Sequence, residues 1–493
     1  MKYNILFGGQ AGQGPNILTS LLAEALIEKG FYVFYSRDYQ SLIRGGHNFN
    51  VLTFSDKPVL SNESSYDLII ALDKNTEVMH EKKLKGSGKI LKGAHTNMYF
   101  AGSIFKIFGF DFKVLEKKLK KIEHRFEENL AEAKKGYEDE EAKINLPEIN
   151  GNKKEFYNGN QGIANSAVSS GIDVYYAYPM TPATPILEEL ASSKKVKVIE
   201  LEGEIAVINA GIGSSIVGAK VMIGTSGGGF DLMTEGLSLT GIAEVPLVIY
   251  LSQRPGPATG VATYTAQGDL NLARHSGHGE FSRIVIAPGD AKESSEAVSE
   301  CFYFSQKFKI PAILLGDKHL AESFYCSEEK PKLTTSGKSI SLRRFNSYET
   351  DAQGSATEDA EQIKKNVLRR LEKSKNILEE SKKFERIKIY GNKSSQNIVL
   401  FWGSTKGAVL DAIAGLDVCA LQIVWIEPFA EEVENLLKGK NIILVENNST
   451  AQLASLVKEK TGITIEDKNK ILRFDGRPFL SDELKEEIRG RIK

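Results

Sequence analysis

Four short stretches of this 493-residue chain concentrate the residue types that do chemistry. Tyr178 to Thr184 reads YPMTPAT, and the carboxylates Glu200, Glu202 and Glu204 follow it. Thr225 to Gly229 (TSGGG) is a Gly-rich turn, and Gln253 to Gly260 reads QRPGPATG. No single stretch decides the case. Together they offer a carboxylate at a helix entrance, backbone turns that a ligand can approach, and a hydroxyl and a guanidinium for a small acid.

That set suits thiamine diphosphate chemistry on a 2-oxo acid. The coenzyme's own aminopyrimidine removes the thiazolium proton once a carboxylate bonds the ring nitrogen opposite its amine. A Glu where a strand hands over to a helix is well placed, because packing fixes it and burial raises its pKa. Alternation puts Glu200, Glu202 and Glu204 on one strand face if the strand runs that far, and Glu204 opens a helix over 204–219. Carboxylates there also complement the helix dipole, and spacing alone does not separate the two roles. Thr181 lies between Pro179 and Pro182 in a turn that resists helix, so its hydroxyl can donate to a carboxylate. Arg254 follows the apolar strand 245–251 at its carboxyl end, where α/β sheets bind ligands. A guanidinium there can grip a carboxylate with two bonds, although a rim ion pair reads equally well.

Gly8 to Gly14 (GGQAGQG) resembles a dinucleotide fingerprint, but Ile17 stands where the spacing needs glycine. Its backbone amides, at Gly9, Gly12 and Gly14, could receive an anion as the chain enters a helix, and a structural tight turn accounts for it equally. His47, within Arg44 to Asn48 (RGGHN), reads better as a hydrogen-bonded structural histidine than as a catalytic one. His278, between Gly277 and Gly279, is the better active-site candidate.

These residues need scaffolding, and the length suits roughly three domains. Sixty-three basic side chains against 64 acidic ones leave no basic excess for nucleic acid. No apolar run approaches a membrane span, and a strand-like run begins directly after Met1-Lys2, leaving no room for a signal peptide. Cys301, Cys326 and Cys419 lie far apart, form no CxxC pair and suit a reducing cytoplasm. Strand–Gly turn–helix–strand order over 3–35, with a further strand at 68–71, predicts an α/β domain on a doubly wound parallel sheet over 1–140. A linker at 141–154 precedes a second α/β sheet over 155–330, with a helix at 160–170 and strands at 174–177, 196–199, 221–223, 245–251, 284–287 and 312–315. A mixed segment, 331–394, carries a charged helix near 359–383. The last α/β unit, 395–493, has strands at 398–401, 421–425 and 442–445. The fold class is α/β, three such domains in series.

At these residues the chain resembles the alpha subunit of 2-oxoacid:ferredoxin oxidoreductases, in the form where a gamma domain is fused in front of alpha. GGQAGQG and RGGHN are similar to the gamma domain. YPMTPAT, Gly203 to Ser215 (GEIAVINAGIGSS), Thr225 to Leu237 (TSGGGFDLMTEGL), Gly256 to Leu270 (GPATGVATYTAQGDL) and Gly277 to Gly289 (GHGEFSRIVIAPG) resemble the pyrimidine-binding alpha domain. Val445 to Leu453 (VENNSTAQL) and Phe474 to Phe479 (FDGRPF) are similar to the transketolase-like C-terminal unit. The resemblance implies that Glu204 contacts the aminopyrimidine and that Thr181 and Arg254 lie near the substrate carboxylate. It also implies cofactor contacts from Tyr178, Pro179, Thr225, Ser226, Gly227 and His278, and a coenzyme A contact at the first Gly turn. Gly228, Ala258 and Ala262 depart from the family's usual Pro, Ser and Pro, which bears on substrate identity.

Half of the machinery is missing. A Mg²⁺ clamp for the diphosphate is usually announced by Gly-Asp-Gly, and Gly268-Asp269, Gly289-Asp290 and Gly316-Asp317 are each followed by another residue. Similar systems place the Mg²⁺ site and a 4Fe–4S cluster on a beta subunit. The expectation is therefore a cytoplasmic alpha subunit, active only with a beta subunit. It would couple CoA-dependent oxidative decarboxylation of 2-oxoglutarate or pyruvate to ferredoxin, with no nucleic-acid or membrane partner. The rivals are a non-oxidative thiamine diphosphate enzyme and a scaffolding subunit. Ile17 disfavours a nicotinamide-dependent dehydrogenase.

Overall fold

The computed structural model describes residues 1–40, 46–122, 125–339 and 344–493. Arg44 and Gly45 of the RGGHN motif lie outside them. The chain forms three mixed β-sheets in two compact units.

The first unit comprises Met1–Phe156 with Ser323–Lys330 and Leu480–Glu483. Its sheet runs Leu84–Lys92, Tyr66–Ala71, Lys2–Gly9, Asn48–Ser55, Tyr32–Asp38, Phe324–Ser327 and Glu155–Asn158. Strand Lys2–Gly9 pairs parallel with Tyr66–Ala71 but antiparallel with Asn48–Ser55. The expected parallel doubly wound sheet is thus corrected to a mixed one. Asn48–Ser55 carried no alternating signal because it is buried on both faces, all but one of its residues being inaccessible. Helix Pro15–Glu28 buries Leu18, Leu21, Leu22 and Leu26 against the sheet, the stripe its spacing predicts.

The second unit holds the other two sheets. One runs Trp425–Glu427, Ile284–Ile286, Pro311–Asp317, Leu247–Gln253, Val221–Thr225, Val174–Ala177 and Lys197–Glu200. All its neighbours pair parallel except Trp425–Glu427 with Ile284–Ile286. The other runs Ile387–Gly391, Cys419–Ile423, Asn397–Trp402, Asn441–Glu446 and Lys470–Leu472. Ile249, Ile313 and Leu315 of the former share one apolar core with Leu400, Trp402 and Leu444 of the latter. The parallel strands read as continuous apolar runs, as strands covered on both faces must. The charged helix appears at Ala360–Ser381. No helix of the described residues is long and apolar enough to cross a membrane.

Candidate active site

Four of the parallel strands end in the chemistry-bearing stretches. Val174–Ala177 runs into YPMTPAT, Lys197–Glu200 leads to Glu204, Val221–Thr225 ends in TSGGG, and Leu247–Gln253 ends at Arg254. Parallel pairing puts all four at the carboxyl edge of one sheet, the edge where open α/β sheets bind ligands.

The carboxylates sort themselves there. The strand stops at Glu200, so the expected shared face does not extend to Glu204, and Glu200 and Glu202 are exposed. Glu204 is the first residue of helix Glu204–Ile216 and is only 8 % exposed. No described residue offers it an ion pair or hydrogen bond. Gly229 shows what surrounds it. A Cβ there would fall 2.7 Å from Met180 Sδ and 2.9 Å from Glu204 Cγ, and against Thr225 Oγ1. Three separate stretches therefore converge on one glycine, and the hydroxyls of Thr225 and Ser226 each lie 3.6 Å from Met180 Sδ.

Arg254 Nη1 donates to the Thr181 carbonyl at 2.9 Å. No carboxylate of the described residues pairs with this guanidinium, and burial pushes its pKa below the usual arginine range. Thr181 is half-buried, whereas Tyr178 and Pro179 are exposed on the same turn. Gly227 is close to Asp269: a Cβ on Gly227 would lie 2.6 Å from Asp269 Oδ2. Burial, and then the nearby Asp231 carboxylate, raise Asp269 to about 6. The Gln253 side chain fixes it by accepting from its backbone N–H at 2.9 Å.

His278 is not brought to this cluster. Its side chain is exposed on the loop leading to the amino end of strand Ile284–Ile286, and its backbone N–H donates to Ser238 Oγ at 2.8 Å. Met180, Gly229 and Asp269 are the residues that sequence reasoning passed over. Only Asp269 gave a signal, as the Asp of an incomplete Gly-Asp-Gly.

In the first unit, Gly12 and Gly14 hold left-handed φ of 93° and 82°, which favours glycine, and Gly14 leads into Pro15 at the first helical position. A Cβ on Gly9 would meet Gln13 Oε1 at 2.8 Å, and that oxygen accepts from the Gln10 N–H at 2.7 Å. His47 is buried and shares a 2.8 Å Nε2 to Nε2 hydrogen bond with His80, as a structural histidine does. All three cysteines are buried free thiols. Among the described residues no group of three or more His, Cys, Asp or Glu is arranged to hold a metal ion.

Known proteins resemble this chain in sequence and in fold. Residues 4–96 match the family model described as pyruvate ferredoxin/flavodoxin oxidoreductase. Residues 165–385 match that described as pyruvate flavodoxin/ferredoxin oxidoreductase, thiamine diphosphate-binding. The chain is 29% identical to a 2-oxoacid:ferredoxin oxidoreductase subunit alpha of Sulfolobus, over all of this chain and 97% of the relative. It is also 29% identical to the 2-oxoglutarate synthase subunit KorA of Methanocaldococcus jannaschii, over 60% of this chain and 89% of the relative. In fold it matches the 2-oxoglutarate:ferredoxin oxidoreductase from Magnetococcus marinus, solved with 2-oxoglutarate, coenzyme A and succinyl-CoA bound. That match has a TM-score of 0.89 at 21% identity and covers both chains in full.

The fold and these matches define an α/β oxidoreductase subunit with a thiamine diphosphate-binding domain. The chain belongs to the 2-oxoacid:ferredoxin oxidoreductase family, as an alpha subunit.

Proposed function

We propose that this chain supplies the wall of a thiamine diphosphate site that faces the aminopyrimidine, and that a beta subunit supplies the rest. One observation carries the reading. Glu204 is buried at a helix start, without a partner among the described residues, where Met180, Thr225 and Gly229 converge. A buried carboxylate in that state gains most from a ligand that donates a hydrogen bond to it. Thiamine diphosphate, when bound, supplies the thiazolium that stabilises charge as the bond beside the 2-oxo group breaks. Glu204 holds the proton at the pyrimidine nitrogen, and the Met180 thioether keeps water from that carboxylate. Thr181 and Arg254 orient the carboxylate of the oxo acid, with Tyr178, Pro179, Ser226 and Gly227 at the cofactor's edge.

The reaction is the CoA-dependent oxidative decarboxylation of a 2-oxo acid to an acyl-CoA and CO2, with reduction of ferredoxin. The name of the Methanocaldococcus relative supports 2-oxoglutarate ahead of pyruvate. Mg²⁺ and the 4Fe–4S cluster belong to the beta subunit, and the turn at Gly9, Gly12 and Gly14 is a contact for CoA. The setting is the cytoplasm.

Co-purification with the beta subunit, followed by a viologen-dye assay on 2-oxoglutarate and pyruvate, tests this. Dye reduction should need both chains and CoA. Decarboxylation without dye reduction would mark a non-oxidative enzyme, and a fully loaded but inert pair a scaffolding subunit.

A further inference from the structure

The second unit contains a cavity of about 650 Å³ that the proposed reaction does not use. Helix Leu270–His275 starts beside Asp269 at the carboxyl edge of the sheet and ends in the wall of this cavity, at Arg274. The rest of the wall comes from the loop entering strand Ile284–Ile286 at its amino end, from helix Ala360–Ser381, from Glu427 and Pro428 at the end of strand Trp425–Glu427, and from Glu459 and Lys460 of helix Gln452–Thr461. The cavity therefore lies apart from the Glu204 and Arg254 cluster. Its volume falls within the range of about 300–1,000 Å³ that small-molecule sites occupy.

Its charges are mostly satisfied. Arg274 Nη2 pairs with Glu459 at 2.8 Å, Lys460 pairs with the same carboxylate at 3.2 Å, and Arg370 is held by Glu349. Among the Arg and Lys side chains Arg283 is the exception, and Glu280 on the same loop is a lining carboxylate that likewise has no ion pair among the described residues. No carboxylate of the described residues comes within ion-pair distance of Arg283. Its Nη1 donates only to the Ala273 carbonyl, at 3.3 Å, and its guanidinium carbon lies 4.5 Å over the Phe281 ring. Burial pushes its pKa down to about 10, and the charge of Glu427, which lines the same cavity, offsets this only in part. Gly277 and Gly279, at φ of 80° and 78°, set the course of the loop that carries it. Val367, Leu371 and Ile377 of helix Ala360–Ser381 add apolar side chains to the wall.

We propose that this cavity binds a small organic carboxylate, its head on Arg283 and its apolar body against Val367, Leu371 and Ile377. A stacked guanidinium without an ion pair keeps N–H groups for a planar anion, and the apolar part of the wall favours a short hydrocarbon chain over an inorganic ion.

Hexanoate is the probe, titrated calorimetrically into the full chain. A single site in the millimolar range is expected. Arg283→Gln should weaken it roughly tenfold or more, the worth of one charge-assisted hydrogen bond. Leu371→Glu, at a position 50% exposed and so tolerant of charge, should weaken it as much by placing a like charge at the apolar wall. Arg254→Ala should leave it unchanged. Absence of binding, unaltered affinity in both cavity variants, or loss in Arg254→Ala alone would each overturn the assignment.

Discussion

Arg254 Nη1 hydrogen-bonds the Thr181 carbonyl oxygen across 2.9 Å, tying the end of strand Leu247–Gln253 to the YPMTPAT turn. One side chain thus clamps a turn and still presents N–H groups that no carboxylate of the described residues claims. The clamp positions the Thr181 hydroxyl, and the spare donors suit an anion. Neither role is visible without the other strand end.

Arg254→Ala should therefore raise KM for the oxo acid by roughly ten- to a hundredfold, the range set by a charge-assisted contact worth about 1.5–3 kcal/mol. KM for CoA should stay within error. Steady-state kinetics of the assembled pair checks this, and an equal rise in both constants would remove Arg254 from the oxo-acid pocket. Arg254→Lys keeps the charge but loses the fork, so it should recover only part of the loss.

Glu204→Gln should preserve folding and assembly while lowering turnover by roughly a hundredfold or more, the usual range for a positioned proton-transfer group. Glu202→Gln is the matched control. Glu202 is exposed and outside the cluster, so its variant should turn over normally. If the two variants behaved alike, Glu204 would hold no special place.

Gly229→Ala tests the convergence itself. The added methyl would press on Met180, Thr225 and Glu204 at once, and crowding of this kind costs about 1–3 kcal/mol. Calorimetry on the assembled pair should show thiamine diphosphate affinity falling at least tenfold, on the order of the lower end of that cost. Gly228→Ala, whose Cβ would meet only the Ala258 carbonyl at 3.9 Å, should bind the coenzyme normally.

Much of this site was legible because its residues sit at strand ends, where an apolar run stops and polar or glycine residues begin. Val174–Ala177, Val221–Thr225 and helix Glu204–Ile216 lie where their patterns put them. What stayed hidden depended on pairing. Strand Phe324–Ser327 joins the sheet of the first unit beside Tyr32–Asp38, and Trp425–Glu427 joins Ile284–Ile286 as an antiparallel edge. Both are too short to announce a partner. The convergence on Gly229 was invisible for a related reason: a glycine shows no side chain whose type could hint at what touches it. His278 drew notice because flanking glycines make a histidine look exposed to ligand, and here they turn a loop on the way to strand Ile284–Ile286.

The His47 and His80 pair gives the first unit a pH dependence of defined sign. Burial holds both imidazoles below the ordinary histidine range, His80 at about 4, with the His47 and Lys83 charges as lesser causes. The Asp73 and Asp38 charges oppose burial at His47 without reversing it. An unfolded chain protonates these rings near pH 6.5, so over the interval below that value it binds more protons than the folded one. Stability is fully present above about pH 6.5, erodes as pH falls towards 4, and levels off below. The shift at His80 corresponds to a loss on the order of 3 kcal/mol. Hydrogen-exchange protection of the strand Asn48–Ser55 amides, corrected for intrinsic rates, reports local opening of this unit. Protection should fall across that window in the natural chain and fall less steeply in His80→Gln, where only the His47 ring is left to protonate. A slope of unchanged size after the substitution would assign the acid sensitivity to other groups.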